Sequence, residues 1–301
     1  MQAAGGESMT KLIPAGRILF ALSMIGLGLE HFCFQAFVTG RAPPWPESLP
    51  GETVWAYVTG FVIVAAAGLI LTARRGRLAA IVLGALILFW AVLRHIPVVI
   101  ASDVLSPDWT RAVKALAFFG GALAVAATFP KWKSARGTAF SRFLDRDAAF
   151  ILIGTICLAV FMVNNGIQHF IYTEFVASLI PSWFPGDPVF WTYFSAIALF
   201  AGAAGMLYRR TACAAALLTG IMVFAWVWIV HVPRTFASVS DNIAVFEAPA
   251  IAGIAFVLAG LQAAIKPHAG GFRRGVDPDK LNHLVDDLEV SDFANDERAP
   301  E

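Results

Sequence analysis

Four histidines stand inside long apolar runs, each in a pattern that occurs twice. His31 and His169 sit in Gly-x-x-His-Phe (Gly28 to Phe32, Gly166 to Phe170), and His95 and His231 each precede a hydrophobic residue and a proline, Pro97 or Pro233. An ionisable residue at such a place is costly and requires a reason. An imidazole there can hydrogen-bond carbonyls freed beside a proline. It can also donate to a quinone or other small redox ligand, with Trp90, Trp226, Tyr57 and Tyr193 supplying ring contacts in a mostly apolar pocket. A third use is haem b, with His31/His95 and His169/His231 as axial pairs on facing helices. A bare metal site is not expected, because the carboxylate at Glu30 in one copy is replaced by Gln168 in the other.

A second feature is a pair of intramembrane charges. Lys114 and Glu247 fall at equivalent places in the two halves, 133 residues apart and opposite in sign. Either their helices meet and the charges neutralise each other, or both lie near helix ends and snorkel to water. Arg94, beside His95, has Val230 as its counterpart, and Arg234, after Pro233, has Val98. The two halves have therefore diverged electrostatically, which permits one working site and one structural one.

The elements that must position these residues are membrane helices. Of 301 residues, 58% are hydrophobic and 14% charged, with a mean hydropathy of +0.70. A soluble domain carries about 25% charged residues, so the apolar content exceeds what one ordinary core can bury. Eight apolar segments of about the 20 residues a bilayer requires lie near 14–37, 53–73, 78–100, 109–129, 148–172, 189–208, 211–233 and 243–265. A net charge of +1 without a basic stripe argues against nucleic acid as a partner. Cys33, Cys157 and Cys213 are far apart, lack zinc-like spacing, and read as small buried hydrophobes. Aromatic belts and packing account for most of the 9 Trp and 25 Phe.

Positive charge orients the spans. Arg74, Arg75 and Arg77, then Lys131 to Arg146, then Arg209 and Arg210 occupy alternate connections, with Lys11 and Arg17 before the first span and Lys266, Arg273 and Arg274 after the last. The other connections carry only Arg41, Arg111 and Arg234 among several acids. Both termini are accordingly expected in the cytoplasm. The first apolar run is followed by Glu30, His31 and aromatic residues rather than a small-residue cleavage site, so it reads as a retained span. The acidic, polar tail after 276 reads as a mobile cytoplasmic extension with one short helix at 279–289.

The patterns repeat in order. At an offset of 138, Gly28, His31, Phe32, Phe37, Val38, Pro43 and Trp45 match Gly166, His169, Phe170, Phe175, Val176, Pro181 and Trp183. At 136, Trp55, Tyr57, Trp90, His95 and Pro97 match Trp191, Tyr193, Trp226, His231 and Pro233. This reads as tandem duplication of a four-span unit. An even span count inserts both copies the same way up, which predicts parallel rather than inverted repeats, each a four-helix bundle packed through small residues. At a rise of about 1.5 Å per residue, all four histidines belong to the outer half of the bilayer or its rim. The proline- and tryptophan-rich loops after the first helix of each copy lie on that side, as a rigid interfacial lid would.

The spacing His-Phe, five residues, Val, four residues, Pro-x-Trp, with Trp-x-Tyr opening the next span and His-x-Pro ending the third, resembles the DoxX-like membrane protein family. The resemblance covers nearly the whole chain, twice. It implies small four-helix inner-membrane units, some of them associated with quinone-linked or sulfur redox systems. This chain departs from the single unit by being a fused pair, and its lack of Cys-x-x-Cys speaks against thiol–disulfide chemistry.

The expectation is an all-α membrane protein of eight transmembrane helices, arranged as two parallel four-helix bundle repeats. Its parts would be a cytoplasmic segment 1–13, a first repeat 14–130, a basic linker 131–147, a second repeat 148–265 and a tail 266–301. It would reside in a bacterial-type plasma (inner) membrane. The leading functional expectation is a redox-associated subunit holding a quinone-like ligand near the outer face, in company with other membrane redox subunits. A small-solute permeation module along the repeat interface and a non-catalytic structural partner are the alternatives. The sequence contains no nucleophile–base arrangement, phosphate loop or dinucleotide fingerprint.

Overall fold

The computed structural model describes residues 9–37, 42–131, 146–236 and 244–265. The expected tail helix and most of the basic linker lie outside the described residues. The protein is an all-α membrane protein, and among the described residues eight helices are long and apolar enough to cross a bilayer. They are α1 (Leu12–Phe34), α2 (Glu52–Leu71), α3 (Gly76–Ala101), α4 (Pro107–Ala126), α5 (Asp147–Ile171), α7 (Pro188–Leu207), α8 (Ala212–Thr235) and α9 (Ala244–Ala264), with a short α6 (Thr173–Ser178) after α5. Within a bilayer the helix is favoured because it satisfies every backbone polar group internally.

Local chemistry sets the ends. Gln35, in a left-handed conformation at φ 55°, stops α1. The α2–α3 turn closes when Thr72 bonds the Gly68 carbonyl and Ala73 and Arg75 take positive φ. Asp187 caps α7 by accepting from the Val189 N–H at 2.9 Å, with Pro188 next to it, where a missing N–H costs nothing. The α6 turn was not anticipated in the lid loop. The chain bends at Tyr172, and the Thr173 hydroxyl donates to the carbonyls of His169 and Phe170, so helix resumes at once.

Helices α3 and α8 each contain a π-helical turn, Ala91–His95 and Val227–His231. Pro97 and Pro233 follow them by two residues. A proline has no N–H to give and its ring crowds the carbonyl one turn back, so the preceding turn widens. Each π turn ends on a histidine.

The halves are not two closed bundles. Along the chain α1 packs on α2, α2 on α3 and α3 on α4, while α5 packs on α7, α7 on α8 and α8 on α9. The most extensive remaining contacts cross between halves: α4 lies along α5, α9 lies along α1, and α4 touches α9. Glycines permit these crossings. A Cβ on Gly16 would stand 2.6 Å from the Gly253 carbonyl oxygen, and one on Gly154 would stand 2.8 Å from the Gly120 carbonyl oxygen. In lipid, such close backbone approach supplies packing energy that hydrophobicity cannot. The core at these crossings is fully buried, with Phe20, Phe150, Ile254 and Leu258 at its centre. At the helix ends opposite the histidines, Arg77 donates to the Ala126 carbonyl and pairs with Asp147 at 2.7 Å, joining α3, α4 and α5.

Candidate functional site

Successive spans alternate in direction, so the C-terminal ends of α1, α3, α5 and α8 share one side with the starts of α4 and α9. Two cavities open there. The first, about 140 Å³, lies in the first half and is lined by His31, His95 and Trp90. The second, about 830 Å³, lies in the second half and is lined by His169, His231 and Trp226. Ligand pockets run to roughly 300–1,000 Å³, so only the second has the volume for a drug-sized molecule.

Lys114 and Glu247 line both cavities. The Lys114 ammonium donates to Glu247 Oε2 at 2.5 Å, so one ion pair from α4 and α9 stands in the wall between the two halves. Of the two sequence readings, contact rather than separate snorkelling is what the structure has. Arg111 also lines both cavities and is tied to Asp108 at 2.6 Å.

The paired histidines make matching bonds. His31 Nδ1 lies 2.9 Å from the Leu27 carbonyl, and His169 Nδ1 lies 2.6 Å from the Asn165 carbonyl. A carbonyl can only accept, so each Nδ1 carries the hydrogen and each neutral ring keeps its lone pair on Nε2. Helix geometry fixes these bonds, because residues four apart face each other on one side of a helix.

Tyr57 and Tyr193 take no part. Each stacks on the phenylalanine after the first histidine of its half, Phe32 at 5.5 Å and Phe170 at 5.3 Å, and they are 37% and 40% exposed. Neither lines either of these two cavities. Their expected place as pocket rings is corrected: the Trp-x-Tyr spacing puts the tryptophan and tyrosine on different helix faces, and the tyrosine faces outward. Trp90 does line the first cavity, with its indole N–H donating to Thr59 Oγ1 at 3.0 Å.

The polar residues around His169 divide by face. Gln168 is buried and donates to the carbonyls of Leu105 and Ser106 at 2.6 and 3.2 Å, fastening α5 to the α3–α4 connection. Asn164 donates to Thr110 Oγ1 of α4 at 3.2 Å. Gln168, Asn165 and His169 also border the second cavity.

Two residues outside the expected ligand set, Phe37 and Arg94, also belong to the first cavity's wall. Phe37 is 5% exposed and its ring contacts those of His31, Trp45 and Trp90. The Arg94 guanidinium lies over Phe37 at 4.5 Å and Trp45 at 5.3 Å, and its Nη2 donates to the Pro43 carbonyl. The signal was present: an arginine in an apolar span, with valine at the matching place, needs a local partner.

Among the described residues no group of three or more His, Cys, Asp or Glu side chains is arranged to hold a metal ion. Residues 158–262, about a third of the chain, match a family model described as a domain of unknown function, DUF8561. This region runs from the middle of α5 nearly to the end of α9 and supplies most of the second cavity's lining, the rest coming from α4. No curated protein and no solved structure matches the chain.

Proposed function

We propose that this is a duplicated, DoxX-like protein of the inner membrane, with both termini in the cytoplasm. On this reading its second half holds a quinol-type ligand near the outer face, in association with other membrane redox subunits. The observation that carries the reading is the 830 Å³ cavity bordered by His169, His231 and Trp226. Its exposed lining is mostly apolar, with polar groups converging on it from His169, His231, Asn165, Gln168 and the Lys114–Glu247 pair, the make-up of a small-molecule site. Duplication is supported by the paired π turns, the paired imidazole–carbonyl bonds, and the Gly16/Gly253 and Gly120/Gly154 crossings.

The histidine tautomer selects the oxidation state. With Nδ1–H committed to the Asn165 carbonyl, His169 offers Nε2 as an acceptor. A quinol hydroxyl donates to it, whereas a quinone presents only carbonyl acceptors. The same nitrogen is suited to take the hydroxyl proton when a partner subunit's redox centre withdraws electrons from the ligand.

Permeation along the repeat interface has less support, since Phe20, Phe150, Ile254 and Leu258 fill that interface. Haem b keeps one specific support, because an imidazole that ligates a metal usually donates its other N–H to a carbonyl or carboxylate. The first cavity is too small for a macrocycle, so such a haem would use His169 and His231.

The test is a titration of the purified, detergent-solubilised protein with a short-chain quinol and with its oxidised form, beside an absorbance spectrum. The quinol is expected to bind about tenfold tighter, the value of one hydrogen bond of about 1.4 kcal/mol. Absence of binding, or preference for the quinone, removes the reading. A Soret band replaces it with haem.

A further inference from the structure

The two cavities differ about sixfold in volume although their histidines and tryptophans correspond, and the difference lies in the loop that follows the first helix of each half. In the first half the described residues on either side of positions 38–41 bring two rings inward. Phe37 is 5% exposed and stacks face to face with Trp45, ring centroids 5.5 Å apart and planes 2° apart. The Arg94 guanidinium covers both rings and binds the Pro43 carbonyl between them in sequence. In the second half the corresponding rings are exposed, Phe175 at 65% and Trp183 at 62%; Phe175 borders the cavity without filling it, and Phe184 of the same loop packs on Trp191 and Trp226. The residue matching Arg94 there is Val230, which borders the cavity and has neither a charge nor a hydrogen-bond donor to hold a loop.

We infer that the first half carries a second site of the same ligand class, held shut by Arg94, which seats Phe37 and Trp45 where the ligand's ring would lie. Planar guanidinium stacking and a charged hydrogen bond act together on one loop, and both are strengthened by exclusion of water. The aromatic plug meets His31 edge-on, 5.5 Å between centroids, so the imidazole that would meet a ligand is already covered. Thr59, Trp90 and His95 remain around the small residual space, the same kinds of groups that border the open cavity. The protein then works with one open site, and the closed half serves as its structural partner. The inference rests on the quinol reading for the ligand and on geometry alone for the latch.

The latch and the ligand are tested separately on Arg94→Val, which installs the residue of the second half. Ala42 borders the first cavity. With Cys33, Cys157 and Cys213 replaced by alanine, an Ala42→Cys thiol reports on closure through its rate of maleimide labelling. Arg94→Val is expected to speed this labelling by roughly tenfold or more, the response to losing two cation–π contacts and one charged hydrogen bond. Bound short-chain quinol is expected to rise about twofold, as mass action at a second equivalent site requires. Trp45→Ala, which leaves the arginine but removes its stacking face, should give the same opening. Unchanged labelling in both variants, with each monodisperse in detergent, overturns the latch. Faster labelling with quinol stoichiometry unchanged from a quinol-binding wild type overturns the second site. A wild type that binds no quinol removes the functional reading instead, while the labelling result still decides the latch.

Discussion

Lys114 and Glu247, 133 residues apart in sequence, form a 2.5 Å ion pair at the contact of α4 and α9, with side chains 20% and 10% exposed. Each helix belongs to a different half, so the pair is shared between them. Two charges largely withdrawn from water compensate each other: their attraction offsets part of the desolvation penalty while both are present. Lys114→Met or Glu247→Gln alone is expected to destabilise the protein by about 3 kcal/mol or more. The Lys114→Met/Glu247→Gln double variant should recover most of that loss, since removing both charges leaves neither uncompensated. Thermal unfolding in detergent across the double-mutant cycle measures the coupling. Additive losses would mean that the two charges act separately.

The interlocking of the halves gives a second prediction. Gly16 meets Gly253 and Gly154 meets Gly120 so closely that a Cβ on Gly16, Gly253 or Gly154 would lie within 3 Å of backbone across the crossing. Gly16→Val and Gly154→Val should each cost about 1–3 kcal/mol through overpacking, and by similar amounts, because the crossings correspond. Gly68, where a Cβ would meet nothing within 4 Å, is the control and should tolerate alanine. Comparable melting temperatures for Gly16→Val and Gly68→Ala would contradict the close packing.

The spans were legible in the sequence because the bilayer imposes a length and an apolar composition, and the observed helices begin and end within about three residues of the expected ones. Their packing was not legible. Residues facing lipid and residues facing other helices are equally apolar, so the first half's closure by α9 and the second half's by α4 left no hydropathy trace. The histidine pairs were legible as repeated motifs, and the structure gathers His31 with His95 and His169 with His231. The orientation of Tyr57 and Tyr193 was not, because Phe32 and Phe170 stack on them outside the cavities. In the sequence Gln168 stands only as the counterpart of Glu30. Its bonds to Leu105 and Ser106 depend on a connection 62 or more residues away, which no local pattern encodes.

Orientation in the membrane is a third prediction, from the alternation of basic connections. In a background without Cys33, Cys157 and Cys213, a cysteine at Glu47 should react with an impermeant maleimide applied to intact cells, and one at Arg136 should react only after lysis. The expectation rests on retention of Lys- and Arg-rich connections on the cytoplasmic side. Glu47 lies in the same connection as the Phe37–Trp45 plug, so the experiment also assigns a side to both cavities. Labelling of position 136 with 47 silent would turn the protein over and place the histidines at the cytoplasmic face.

The last prediction concerns the histidines of the open cavity. His169 and His231 come from α5 and α8 and border one space. If both meet one ligand, each alanine variant alone should lose most of the bound quinol, and the double variant should lose little more, because groups that share a ligand are strongly non-additive. If instead each imidazole only satisfies carbonyls of its own helix, the losses should be in stability, small and additive, at about 1 kcal/mol each. The His169 Nδ1–Asn165 bond sharpens the distinction. His169→Asn can still donate to a carbonyl but removes the Nε2 lone pair from its place, so it should preserve folding while abolishing preference for quinol over quinone. Equilibrium binding of both oxidation states to the wild type, the two alanine variants, their double and His169→Asn decides the matter. Retained quinol preference in His169→Asn would show that the imidazole acts on the helix and not on a ligand.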